Sequence, residues 1–96
     1  MKTEPNTEVL FIMMSAPEEV LALFPRIAWN RDPDTCVSYA HCGQHGAASV
    51  QLAQECRLAT PEEYSGLFNE LEGMGYHLTV ITEVPDDAYE ERKLQI

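Results

Sequence analysis

Basic residues are scarce in this chain. Six Lys and Arg residues stand against sixteen Asp and Glu residues, so the formal net charge is −10 at pH 7. A surface of this sign repels the phosphates of DNA and RNA, and it repels anionic lipid headgroups for the same reason. The charge therefore predicts a protein that binds neither nucleic acid nor membranes, and it favours solubility.

The cysteine spacing lacks the usual paired motifs. The three residues are Cys36, Cys42 and Cys56, which cannot all pair within one chain, and no Cys-x-x-Cys is present. This pattern is typical of free thiols in a reducing compartment.

Long hydrophobic runs are missing near the N-terminus. The apolar run over residues 9–14 is too short for a signal peptide or a membrane span. We therefore expect a cytoplasmic protein.

What the chain does contain is enough for one folded domain. At 96 residues, with 45% hydrophobic and 23% charged residues, it has an ordinary globular composition. We predict a single domain over residues 1–96, with flexible ends over 1–7 and 86–96. The last segment is highly charged, and we expect it to be frayed or weakly helical.

Three segments read as strands. The continuous apolar run over residues 9–14 predicts a central strand buried on both faces. Residues 36–42 and 76–84 each alternate between two faces and predict two further strands.

One helix has agreeing start signals. Thr60 is a suitable N-cap, Pro61 suits the first helical position, and Glu63 completes a capping box. An apolar stripe with helical spacing follows, and Gly75 suits a left-handed C-cap. A helix over about residues 61–74 is therefore predicted.

Two segments allow alternatives. Ser15 and Glu18 form a capping-box pattern that favours a short helix, but residues 20–27 also fit the second strand of a hairpin, which Pro25 would end. Residues 47–57 carry helix formers, although a second hairpin arm is also open there.

The richest stretch for chemistry covers residues 37–46. It contains two of the three histidines, His41 and His45, together with Cys42. Its end is a polar loop in which Gln44 and His45 offer hydrogen-bonding groups between two glycines. It is either a recognition loop or a simple turn.

His41, Cys42 and His45 also form a His-Cys-x-x-His pattern. Imidazole and thiolate are ligands that zinc prefers, so a zinc site is one hypothesis. Adjacent residues on a strand point to opposite faces, however, and no second ligand pair follows. A thiol–imidazole catalytic pair is a further alternative, with Cys42 as nucleophile.

Arg57 stands out as one of few cations. We expect it to form an ion pair with a carboxylate of the helix, and anion binding is the alternative.

Three segments together resemble a group of small uncharacterised bacterial proteins of similar length. They are Ala-Leu-Phe-Pro at 22–25, Tyr-Ala-His-Cys-Gly-Gln-His-Gly at 39–46, and Ala-Thr-Pro-Glu-Glu-Tyr at 59–64 running to Gly-Tyr at 75–76. The resemblance brings no known activity, cofactor or partner. It implies a turn before the Ala-Leu-Phe-Pro segment, which favours the hairpin for residues 20–27.

The sequence thus predicts an α+β fold, with a small, mainly antiparallel sheet of three to four strands and the 61–74 helix on one face. We expect a non-enzymatic binding module with His41, Gln44, His45 and Arg57 as recognition residues. Sheet edges and exposed aromatic residues favour a homodimer or a protein partner, without a cofactor. The alternative is a small zinc-binding or thiol-dependent protein centred on His41, Cys42 and His45.

Overall fold

The computed structural model describes residues 6–15, 18–40 and 44–96, and of Gln44 only the backbone. The α+β class and the mainly antiparallel sheet are confirmed, but the described sheet has six strands instead of three to four. The elements in chain order are β1 Thr7–Ser15, β2 Glu18–Phe24, β3 Thr35–Ala40, β4 Gln44–Ser49, α1 Leu52–Glu55, β5 Arg57–Leu58, α2 Pro61–Gly73, β6 Leu78–Val80 and α3 Ala88–Leu94.

The first four strands form an antiparallel meander in the order β4-β3-β2-β1. β1 uses its remaining edge for two partners. Its first half pairs in parallel with β6, and its second half pairs antiparallel with β5. The sequence did not predict β5, because a strand of two residues is too short to show an alternating pattern.

β1 is buried on both faces, as its continuous apolar run predicted. Val9 and Phe11 point towards α2, whereas Leu10 and Ile12 point to the opposite face. The α2 face also buries Ala22, Phe24, Tyr39, Ala59, Leu67 and Leu71. The opposite face buries Leu21, Leu23, Cys36 and Ala48.

Residues 20–24 belong to β2, which pairs antiparallel with β1, so the hairpin prediction is confirmed, although residues 25–27 lie in the turn that follows. Leu10 lies opposite Leu23, and Ser15 lies opposite Glu18. The strand ends at Phe24, before Pro25, whose missing N–H and fixed φ suit a turn. Ser15 and Glu18 are therefore a cross-strand pair and not a capping box.

Helix α2 has the ends that the sequence predicted. The Thr60 hydroxyl accepts a hydrogen bond from the Glu63 N–H, and the Glu63 carboxylate accepts one from the Thr60 N–H. At the other end Gly75 has φ of +107°, and Tyr76 N–H donates to the Leu71 carbonyl. These bonds complete a Schellman motif, which turns the chain sharply towards β6.

Both alternatives for residues 47–57 hold in part. The hairpin arm is β4, which continues to Ser49, and the helix is limited to the single turn of α1. The strand predicted over 76–84 is shorter, because Tyr76 belongs to the Schellman motif and only Leu78–Val80 pairs with β1.

The C-terminal segment contains the helix α3. Ala88 and Arg92 of this helix are buried. The Arg92 side chain donates to the carbonyl oxygens of Pro25 and Pro33, which fixes the helix against the turns that follow β2 and precede β3. The flexibility predicted for 1–7 and 86–96 and the single-domain boundary stay predictions.

Candidate functional site

His45 is the sequence-predicted site residue with the best-defined surroundings. It lies opposite Tyr39 across the β3–β4 pair, and the two rings meet edge to face with centroids 4.8 Å apart. The His45 Nε2 atom is 2.9 Å from the Tyr76 hydroxyl. The imidazole is thus held in place although the residue is exposed.

Tyr76 reaches His45 because of the way α2 ends. The Schellman motif at Gly75 directs Tyr76 back onto the sheet, where its ring stacks on Phe24 at 5.2 Å. Partial burial raises the pKa of the Tyr76 hydroxyl above its ordinary value. The hydroxyl therefore stays protonated and available for hydrogen bonding at neutral pH.

Glu70 of α2 adds a carboxylate on the other side of Tyr39. The Tyr39 hydroxyl donates a hydrogen bond to Glu70 Oε2, while its ring is almost fully buried. We call Phe24, Tyr39, His45, Glu70 and Tyr76 the His45 cluster. It combines β2, β3, β4 and the end of α2, so it fixes the β3–β4 hairpin relative to the helix.

None of Tyr39, Glu70 and Tyr76 was predicted from the sequence as a site residue. All three lie inside the segments that carry the bacterial resemblance, which was the available signal. Their meeting depends on the strand register and on the angle at which α2 ends. Spacing within one element does not report either of these.

Arg57 does not belong to this cluster. It lies on β5, at the opposite end of the strand order from β4. Its Nη1 and Nη2 atoms each lie 2.8 Å from a carboxylate oxygen of Glu63, so the expected ion pair with a helix carboxylate is confirmed. The Arg57 hydrogen bond lowers the pKa of Glu63 from 4.5 to about 2.

His41 and Cys42 lie outside the described residues, and so does the side chain of Gln44. Within the described part of the chain, no three His, Cys, Asp or Glu side chains form a group that could hold a metal ion. The zinc site and the recognition roles of His41 and Gln44 stay predictions.

Two thiols are described, and both are free. Cys36 lies in the core at 0% exposure, and burial raises the pKa of its thiol to about 11, although the positive charge of Arg92 opposes this shift. The Cys36 sulfur is therefore a protonated thiol at neutral pH and a poor nucleophile or metal ligand.

β4 is the terminal strand of the sheet beside the cluster. Val50 N–H donates to the Asp34 carbonyl at 2.9 Å, which sets the alternation of hydrogen bonds along the β3–β4 pair. With the observed register, Gln44, Gly46 and Ala48 bond towards β3. The backbone N–H and C=O groups of His45, Ala47 and Ser49 consequently point away from the sheet.

Comparisons of the chain with protein-family models, with curated proteins and with solved structures find no match. Among the described residues, no helix has the length and apolar character required to span a lipid bilayer.

Proposed function

We propose that this protein is a small non-enzymatic binding module that forms a homodimer through the outer edge of β4. One observation carries the proposal: the outward-pointing backbone groups of His45, Ala47 and Ser49 on a terminal strand. Such a row of unpaired donors and acceptors is a template for pairing with another strand.

The spacing of these groups suits pairing with a second copy. An antiparallel pair centred on Ala47 places Ala47 opposite its own copy and His45 opposite Ser49 of the other copy. All three residues have the outward backbone orientation, so every pair exchanges two hydrogen bonds. The arrangement is self-complementary, as a two-fold interface requires.

The side chains of β4 also favour an approach by a second copy. The strand reads Gln-His-Gly-Ala-Ala-Ser and contains no charged residue and no proline, although the whole chain carries −10. Charged residues and prolines are the usual protection of a free edge. The small Ala47 side chain at the centre leaves room for its copy.

The His45 cluster supplies rigidity and specificity at one end of this edge. The imidazole is held by Tyr39 and Tyr76, so His45 loses little conformational freedom when a partner binds. In the antiparallel arrangement the clusters of the two copies lie at opposite ends of the new strand pair. The acidic surface disfavours nucleic acid as the partner.

The oligomeric state of the full chain tests the proposal. We expect a dimer in sedimentation equilibrium. Ala47→Pro removes the central outward N–H while leaving the hydrogen bonds to β3 in place, because proline is tolerated at sheet edges. Loss of two symmetry-related hydrogen bonds of about 1 kcal/mol each predicts roughly tenfold or greater weakening of the dimer.

Ala47→Lys is a second variant, because two opposed like charges repel across the pair. Ser65→Lys is the matched control: it adds the same charge at an exposed position of α2. The control should dimerise like the wild type. A monomeric wild-type chain, or a dimer insensitive to both Ala47 variants in samples with native circular dichroism, would overturn the β4 interface.

A further inference from the structure

Arg92 is a buried cation in a strongly acidic chain. Only 3% of the surface of Arg92 is exposed. Nε donates to the Pro33 carbonyl at 2.8 Å, and Nη1 donates to the Pro25 carbonyl at 2.6 Å. Both acceptors are neutral, and the guanidinium also lies over the Tyr89 ring, 5.8 Å from its centroid, so the positive charge has no carboxylate partner there.

No carboxylate of the described residues lies within 4.0 Å of this guanidinium. Nη2 takes part in none of the hydrogen bonds of the described part of the chain. There, no buried side-chain nitrogen or oxygen is left without a partner. Nη2 is therefore the part of the guanidinium that retains contact with solvent.

Arg92 lines a cleft of about 430 Å³. This size lies within the range of small-molecule sites, roughly 300 to 1,000 Å³. Asp34, Gln51 and Gln54 also line the cleft, and their side chains carry a carboxylate and two amide groups. The remaining lining residues are Ser49, Val50 and Val84.

Asp34 and Arg92 do not neutralise each other, because they form no ion pair although both line the cleft. The Asp34 side chain takes part in no hydrogen bond of the described residues, and only its backbone is bonded. The cleft thus offers one unneutralised cation and one unneutralised anion separated by more than an ion-pair distance.

We propose that this cleft binds a small zwitterion of the amino-acid class. The ligand's carboxylate accepts from Nη2 of Arg92, and its ammonium group donates to the Asp34 carboxylate. The planar guanidinium group forms strong hydrogen bonds with carboxylates. The ligand's carboxylate would therefore give the buried charge of Arg92 a counter-ion. A zwitterion also avoids the repulsion that a simple anion meets from a chain of charge −10.

Heteronuclear NMR titration of the full chain tests this inference. The probes are glycine and L-glutamine as zwitterions, acetate as an anion and methylammonium as a cation, at matched ionic strength. We expect the zwitterions to shift the backbone amides of Gln51 and Gln54 and the Nε–H of Arg92. Their dissociation constants should be at least about tenfold lower than those of acetate and methylammonium.

Asp34→Asn tests the contact with the ligand's ammonium group separately from the contact with its carboxylate. It keeps the shape of the side chain and the backbone bonds of residue 34, so it should weaken zwitterion binding several-fold without weakening acetate. Glu72→Gln, at an exposed position on α2, is the control and should leave binding unchanged. No shift with either zwitterion up to about 50 mM, shifts confined to other surfaces, or acetate binding as tightly as glycine would each overturn the inference.

Discussion

His45 Nε2 and the Tyr76 hydroxyl are hydrogen-bonded at 2.9 Å across 31 positions of the sequence. The bond joins β4 to the chain that leaves α2. Together with the hydrogen bond from Tyr39 to Glu70, it attaches the β3–β4 hairpin to the end of α2, next to the ring stacking of Tyr76 on Phe24.

Tyr76→Phe should remove this hydrogen bond and keep the stacked ring. We expect the free energy of unfolding to fall by about 1 kcal/mol, the usual net value of one hydrogen bond. Urea unfolding measures the change, and the ¹⁵N shifts of the His45 ring report the lost contact.

Tyr89→Phe is the control for the hydroxyl deletion. Tyr89 is exposed on α3, and its hydroxyl makes no hydrogen bond to the described residues. This variant should change the free energy of unfolding by less than about 0.5 kcal/mol. Equal losses in the two variants would show that the His45 contact does not stabilise the fold.

The pair formed by Arg57 and Glu63 predicts a pH dependence of stability. The folded-state pKa of Glu63 is lowered from 4.5 to about 2, mainly by its hydrogen bonds to Arg57. A lowered folded-state pKa stabilises the fold above the unfolded value, and this contribution is lost as the pH falls from about 4.5 towards 2. Urea unfolding of wild type and Glu63→Gln at several pH values should show a difference that shrinks over this window.

Arg57→Gln and the double variant complete the test as a double-mutant cycle. The coupling between the two residues should be present at pH 6 and largely lost near pH 2, where about half of the Glu63 carboxylates are protonated in the folded state. A coupling that does not change with pH would contradict the lowered pKa of Glu63.

Gly75 and Gly73 form a matched pair for a glycine test. An added Cβ meets no atom within 4 Å at either position, so packing does not distinguish them. Gly75 has φ of +107°, whereas Gly73 ends α2 with helical geometry. Gly75→Ala should destabilise the protein by about 1–2 kcal/mol through backbone strain, and Gly73→Ala should be neutral or stabilise it by up to about 1 kcal/mol.

Thermal and urea unfolding of both alanine variants measure these changes. Similar effects at the two positions would contradict the left-handed C-cap. They would also weaken the explanation of how Tyr76 reaches His45.

Arg92→Met should be among the most destabilising single changes on α3. It retains much of the buried volume but leaves the carbonyl groups of Pro25 and Pro33 without their donors. Loss of two charge-assisted hydrogen bonds predicts roughly 2–5 kcal/mol. Lys93→Met on the exposed side of the same helix should change stability by less than about 0.5 kcal/mol, and urea unfolding of both distinguishes the cases.

Elemental analysis of protein purified without a chelator or an affinity metal column tests the zinc alternative. We expect less than stoichiometric zinc after zinc addition and dialysis, because His45 Nε2 is bonded to Tyr76 and the Cys36 thiol is protonated. Near-stoichiometric zinc in the wild type, lost in His45→Ala, would replace the binding-module proposal with a metal-binding protein.

Sequence patterns within short segments predicted the elements whose ends or burial depend on neighbouring residues alone. The capping box of Thr60 and Glu63 and the left-handed Gly75 fixed both ends of α2. The apolar run of β1 correctly indicated burial on both faces. The capping-box pattern of Ser15 and Glu18 did not form, because β2 buries Leu21 and Leu23 on one face and Ala22 and Phe24 on the other.

The rest depended on long-range pairing. β5 is a strand only because β1 has a free edge beside it, and its two residues are too few to show a period. β6 lies within the alternating segment 76–84, but its length is limited to the residues that pair with β1. The His45 cluster needs the β3–β4 register, which sets His45 opposite Tyr39, and also the exit angle of α2. The sequence could therefore select His45 but not its partners.

The pairing of one β1 edge with two strands, β5 and β6, also has a consequence during protein synthesis. β1 is synthesised before the strands that close this edge: β5 follows the whole meander, and β6 follows α2 as well. Until residue 80 has been made, the first half of the β1 edge, which pairs with β6, stays open to neighbouring nascent chains. Premature termination before β6 therefore produces a chain with a strong tendency to aggregate, even though the four-stranded meander is complete.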